Sequence, residues 1–169
     1  PEQNNRTFGH LNFRQPYPFG ETGLCSLVAA SLGAEAIATD NNMHPLNYLK
    51  HGAEEQGLNV TVQHYDFCTV DDASAMALFK STDLIAVADC IYNEDAAQSM
   101  AKQCSLAQQV GTKVILLDSV NIARTEFVKS LSDLGIHYNF REVKVELNGS
   151  AVLVDEDIHY NSTVGVFLL

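Results

Sequence analysis

Basic residues are scarce. The chain carries 10 Lys and Arg against 21 Asp and Glu, a formal charge of −11. A surface of that sign repels phosphate backbones, which argues against nonspecific DNA or RNA binding. It is compatible with a basic protein partner or a cationic substrate. The cysteines Cys25, Cys68, Cys90 and Cys104 form no CxxC pair and have no histidine cluster beside them, which argues against a zinc site. Each lies in an apolar stretch and reads as a small core residue. Free thiols suit a reducing compartment. No apolar run approaches the length of a membrane span, and no secretory signal is recognisable. The expectation is a cytoplasmic monomer that meets neither nucleic acid nor membrane. On that reading the sequons at Asn59, Asn148 and Asn161 are chance matches. The six histidines show no ligand spacing and no Ser/His/Asp set stands out, so neither a metal nor an activated nucleophile is expected.

What is present is an ordinary globular composition. The 169 residues are 46% apolar and 18% charged, enough for one domain with a proper core. The stretch that organises the rest is DLIAVADCIYNE, from Asp83 to Glu94. Its apolar run, Leu84 to Ala88, suits a central parallel strand covered on both faces. Ligands of open α/β sheets bind just beyond the carboxyl ends of such strands, which places Asp89 and Tyr92 for chemistry. The plainer alternative is that Asp89 caps the next helix and Tyr92 packs.

Residues 1–6 are polar and expected to fray. Residues 7–14 alternate loosely and predict an edge strand or hairpin arm. QPYPFGE follows, and Pro16 and Pro18 exclude a central strand there. Residues 22–34 predict a helix with Leu24, Leu27, Val28, Ser31 and Leu32 at helical spacing and Gly33 as its stop. Strand Glu35–Thr39 ends in Asp40. A helix over Met43–Gln56 has Pro45 in its first turn, Leu46, Leu49 and Ala53 as its stripe, and Gly57 at its end. Strand Asn59–Tyr65 ends in Asp66, and a looser helix covers Asp72–Phe79. Beyond Tyr92 a helix over Asn93–Gln109 buries Ala97, Met100, Ala101, Cys104 and Ala107. Strand 113–117 ends in Asp118. Thr125 opens a helix with Phe127, Val128, Leu131 and Leu134 on one face, closed by Gly135. Residues 137–147 predict a long antiparallel strand, Asn148-Gly149 a hairpin turn, and residues 151–154 and 163–169 further strands. Strand–helix alternation closed by strands predicts an α/β fold, a mostly parallel sheet with helices on both faces and an antiparallel edge. The whole chain, residues 1–169, reads as a single domain.

Asp40, Asp66, Asp89 and Asp118 all end strands and would gather along one sheet edge. Acids at strand ends are also common as helix caps. Asp40 is the most informative, because an acid ending the second strand of an adenosine-binding sheet accepts both ribose hydroxyls. The loop before the first helix, FGETG, has only Gly20 and Gly23, few for a backbone that must approach a ligand closely. QPYP cannot be the apolar strand that should precede it. Residues 1–19 are therefore expected to be an N-terminal arm, with the first strand missing near residues 21–22.

TGLCSLVAASLGAEAIATD resembles the tail of the first motif and the second strand of class I S-adenosylmethionine-dependent methyltransferases. ADCIYNE resembles the DxxY motif of the seven-β-strand protein-lysine methyltransferases, and HYDF, residues 64–67, matches that family's acid and aromatic beside the adenine. The resemblance covers roughly residues 20–135, and the sparse glycine loop departs from it. It implies a Rossmann-like, mostly parallel seven-stranded sheet with an antiparallel C-terminal hairpin, S-adenosylmethionine as cofactor, and N-methylation of a lysine on a protein substrate of basic character. By position it implies that Gly20, Thr22 and Gly23 border the methionine end of the cofactor. Asp40 would hold the ribose, with Asn41 beside it, and Asp66 and Phe67 would flank the adenine. Ala88 and Asp89 would lie by the transferring methyl, and Tyr92 by the substrate. A small-molecule N-methyltransferase and an inactive binding or scaffold domain of the same fold are the alternatives. An NAD-dependent enzyme is disfavoured for want of a full GxGxxG.

Overall fold

The computed structural model describes residues 7–12, 23–118, 122–144 and 163–169. The organising stretch folds as an interior strand, β4 (Leu84–Ala88), fourth of seven in chain order. Before it come β1 (Thr7–Asn12), α1 (Leu24–Ser31), β2 (Glu35–Asp40), α2 (Met43–Glu55), β3 (Val60–His64) and α3 (Asp72–Lys80). After it come α4 (Glu94–Val110), β5 (Lys113–Asp118), α5 (Arg124–Asp133), β6 (Asn139–Lys144) and β7 (Thr163–Leu168). The strands line up in the order β3-β2-β1-β4-β5-β7-β6. β1 to β5 pair in parallel, and β7 runs antiparallel to both β5 and β6. The arrangement is an α/β, Rossmann-like fold. The Asn148-Gly149 turn and residues 151–154 lie outside the described residues.

The N-terminal stretch corrects the sequence reading. Thr7–Asn12 is not an edge strand or an arm. It lies at the centre of the sheet, with Thr7 to Leu11 paired to Glu35 to Thr39 on one side and Phe8 to Asn12 paired to Leu84 to Ala88 on the other. The first strand is therefore present at residues 7–12 and not missing near 21–22. Ladder hydrogen bonds are made by backbone groups, so a strand's rank in a sheet need not show in its own hydropathy.

The crossovers β1→β2→β3 run one way across the sheet and β3→β4→β5 run the other. Right-handed connections then put α1 and α2 on one face and α3 and α4 on the opposite face. Two separate apolar clusters follow from this. Ala38, Leu46 and Leu49 form the smaller, with Leu27, Val60 and Val62 against it. The larger joins α3, α4 and α5 to β4, β5 and β7 around Phe79, Met100, Leu116, Phe127, Leu131 and Phe167, all fully buried. Each such side chain contributes about 1.5–3 kcal/mol of burial. Phe127 and Phe167 meet edge to face, with centroids 5.2 Å apart.

The stripes of α2 and α4 are buried as their spacing predicts. That of α1 is not. Leu24, Val28 and Leu32 are 65%, 48% and 82% exposed, and the buried positions are Ser26 and Ala29. Small residues let α1 lie close to the sheet, and close approach outweighs the area its leucines would bury. Leu134 is likewise exposed, while Phe127 and Leu131 hold α5 down.

Candidate functional site

The strand order reverses direction between β1 and β4, and ligands of open α/β sheets bind at such a switch point, outside the carboxyl ends of the strands. Gly20 and Thr22 lie outside the described residues. Gly23 is described, and it precedes α1 in the left-handed region at φ 64°. A Cβ there would stand 2.5 Å from Leu49 Cδ2, so the bare backbone is what lets the turn before α1 approach the Leu49 side chain. Gly23→Ala is expected to cost about 1–2 kcal/mol from the backbone conformation alone, with the Leu49 clash added. Urea unfolding measures it, and a loss under about 0.5 kcal/mol contradicts this account.

Asp40 ends β2 and is 5% exposed. Its Oδ1 accepts a 2.7 Å hydrogen bond from the Asn42 backbone N–H. Its carbonyl accepts from Tyr65 N–H at 2.9 Å, which ties the end of β2 to the end of β3. His64, the ladder partner of Asp40, places Nε2 3.1 Å from the Asn41 carbonyl. The side chain of Asn42 caps α2 by accepting from His44 N–H. Asn41 Oδ1 is buried without a hydrogen-bond partner. An orphaned buried acceptor costs about 1–3 kcal/mol, and this one stands next to a carboxylate. The pair suits a ligand that brings neighbouring hydroxyl donors.

Asp66 begins the turn after β3 and is half-buried. Its Oδ1 accepts from Cys68 N–H at 3.0 Å, and its carbonyl accepts from Thr69 and Val70. A cleft of about 250 Å³ lies beside it, lined in part by His64, Asp66, Val70 and Ser74. Phe67 does not present its ring to a ligand. It is 2% exposed and packs in the larger core, so of the two residues expected beside an adenine only Asp66 offers a side chain. Sequence reasoning missed what lies beneath this turn. Gln103 of α4, itself buried, accepts from the Tyr65 hydroxyl at 2.7 Å and donates to the Phe67 carbonyl at 3.0 Å.

Asp89 follows β4 at φ 51° and is the one non-glycine among the described residues with positive φ. Its N–H still donates to the Leu117 carbonyl at 2.9 Å, so the strand is held to its last residue and then turns sharply. Backbone of this kind is uncommon outside glycine and concentrates at functional sites. The plainer expectation for Asp89 fails in one respect, because the cap of α4 is Asn93, whose side chain accepts from Ala96 N–H at 2.8 Å. Ala88 and Tyr92 are half-buried, and Cys90 and Ile91 are buried between them. Burial first, then the neighbouring Cys68, Cys90 and Asp66, raise the Tyr92 phenol above its ordinary value. It is therefore a neutral hydroxyl at physiological pH, within electrostatic reach of Asp66.

Asp118 leaves the row of edge acids. Arg124 Nε stands 2.6 Å from its Oδ2, and Arg124 Nη2 donates to its carbonyl at 3.1 Å. Among the described residues no group of His, Cys, Asp and Glu is placed to hold a metal ion, and no helix is long and apolar enough to cross a membrane.

No family model matches the chain, and no curated protein matches it in sequence. Its fold recurs in solved structures. Precorrin 8W decarboxylase of Methanobacterium thermoautotrophicum is 18% identical, with a TM-score of 0.64 over 97% of this chain and 81% of that one. A TehB-like SAM-dependent methyltransferase from Corynebacterium glutamicum is 12% identical, with a TM-score of 0.60 over 96% and 80%. Coclaurine N-methyltransferase, bound to N-methylheliamine and SAH, is 17% identical, with a TM-score of 0.53 over 69% of this chain and 31% of that one. At such identities the likeness is one of fold, the Rossmann-like fold of SAM-dependent methyltransferases.

Proposed function

We propose that the chain is an S-adenosylmethionine-dependent methyltransferase acting on an amine, and that its acceptor is a lysine side chain of a protein. The observation that carries this reading is the acceptor pair at the end of β2. The near-buried Asp40 carboxylate and the partnerless Asn41 Oδ1 fit the two hydroxyls of a ribose, in a fold shared with SAM-dependent methyltransferases. The SAH bound in coclaurine N-methyltransferase supports the same cofactor.

When bound, S-adenosylmethionine supplies a sulfonium methyl open to in-line displacement. Asp40 and Asn41 would accept from its ribose, and Asp66 would stand at the adenine. Gly23, with the segment that holds Gly20 and Thr22, would border its methionine end. Ala88 and Asp89 end the strand beside the switch point, where the methyl would lie. A lysine arrives as an ammonium with no lone pair. A half-buried site favours loss of its proton to solvent before transfer. Asp89 then accepts a hydrogen bond from the neutral amine and fixes its direction, while the Tyr92 hydroxyl borders the acceptor.

The Asp89–Tyr92 spacing and the charge of −11 support a basic protein as acceptor. The likeness to coclaurine N-methyltransferase supports a small-molecule amine as the second reading. Incubation of the protein and a cell extract with methyl-labelled cofactor separates them, since label in a protein band supports lysine and label confined to small molecules supports the second. No transfer in spite of cofactor binding leaves an inactive binding domain. Asp40→Ala is expected to weaken cofactor binding about tenfold to a hundredfold, the loss of one or two hydrogen bonds to a charged group. Calorimetry reads this directly, and unchanged affinity removes the ribose assignment.

A further inference from the structure

The bonds beneath the Asp66 turn reach further than packing. Tyr65 is a strut with two ends. Its N–H is bonded to the Asp40 carbonyl and its hydroxyl to Gln103. The other end of the Gln103 amide holds the Phe67 carbonyl. One buried side chain on α4 therefore clamps the residues on either side of Asp66, and through Tyr65 it fixes that turn relative to Asp40. Both polar ends of the amide are used, so neither Met nor Glu reproduces it. Methionine makes neither bond, and glutamate keeps the acceptor but loses the donor to the Phe67 carbonyl. Burial raises the Tyr65 phenol, which stays a neutral donor throughout the physiological range. Gln103 itself is shut off from solvent among Tyr65, Phe67, Phe79 and Met100, so it touches no ligand.

We propose that Gln103 is a positioning residue for cofactor recognition, holding Asp66 at the spacing from Asp40 that an adenosine needs. This rests on the proposed cofactor. A residue that only stabilised the core would change Tm and leave the affinity of the folded protein alone. A positioning residue changes the affinity for adenosine-containing ligands and spares turnover at saturation. The test uses the full chain with S-adenosylmethionine and S-adenosylhomocysteine, at a temperature where circular dichroism shows each variant folded. Gln103→Met is expected to raise both dissociation constants about tenfold and the cofactor KM alike, with kcat within about twofold. Tyr65→Phe removes one of the two bonds and is expected to give about threefold, which keeps the test available if Gln103→Met does not fold. Leu131→Ala, on α5 in the same core, serves as the control, with lower Tm and an unchanged dissociation constant. The proposal is overturned if Gln103→Met and Tyr65→Phe bind as the parent does, if the Leu131→Ala control weakens binding equally, or if kcat falls with cofactor KM unchanged. Absence of cofactor binding by the parent overturns it together with the functional reading, an outcome visible before any variant is made.

Discussion

Arg124→Ala is expected to cost about 3–5 kcal/mol of stability, the penalty for removing one partner of a buried ion pair. The side chain of Asp118 is 2% exposed and that of Arg124 14%. The guanidinium also donates to the Asp118 carbonyl, meets Glu142 at 3.3 Å and lies 5.4 Å from the centre of the Phe140 ring. It joins the end of β5 to the antiparallel pair β6 and β7. The sheet leaves room for it at Gly165, where a Cβ would come within 2.7 Å of Arg124 Nη2. For a domain of this size the expected fall in Tm is roughly 10 °C. The double variant Asp118→Asn/Arg124→Met, which removes both charges of the pair, should recover much of it. A Tm within about 2 °C of the parent for Arg124→Ala contradicts a tightly coupled pair.

Asp89 should respond in the opposite way, losing activity with little loss of fold. Three substitutions separate its backbone from its carboxylate. Asparagine tolerates positive φ and removes the charge. Glycine fits the turn and removes the whole side chain. Alanine removes the carboxylate and also strains the turn, by about 1–2 kcal/mol. If the carboxylate orients the acceptor amine, kcat falls about a hundredfold in Asp89→Gly and less in Asp89→Asn, whose amide oxygen still accepts, with cofactor affinity little changed. Asp89→Ala adds a loss of stability that the other two lack. Full activity in Asp89→Gly would leave Asp89 as a turn residue only.

Much of this fold could be read from patterns. β4 shows itself as a continuous apolar run because helices cover both its faces. α2 carries Pro45, its leucine stripe and Gly57 in the expected places, Asp40 and Asp118 end β2 and β5 as expected, and Asp66 and Asp89 lie just beyond β3 and β4. What failed to show depended on partners distant in sequence. Thr7–Asn12 has its central place through pairing with β2 and β4, which its own residues do not announce. The outward face of α1 depends on how closely Ser26, Ala29 and Gly23 let it approach the sheet and Leu49. At the site, sequence alone expected Asp40, Asp66, Asp89 and Asp118 along one sheet edge but could not show that Phe67 turns inward or that Asp118 is taken up by Arg124. Gln103 reads as one polar residue in an amphipathic helix, and its two buried bonds run to residues some 36 to 38 positions away. Arg124 carries no motif at all.

On the proposed reading, the end of β2, together with the turns after β3 and β4, holds S-adenosylmethionine. Titration of the full chain with that ligand in a calorimeter tests it most directly. Saturable one-to-one binding is expected, which S-adenosylhomocysteine displaces and Asp40→Ala weakens. No binding heat at millimolar ligand, from protein shown by circular dichroism to be folded, would contradict it.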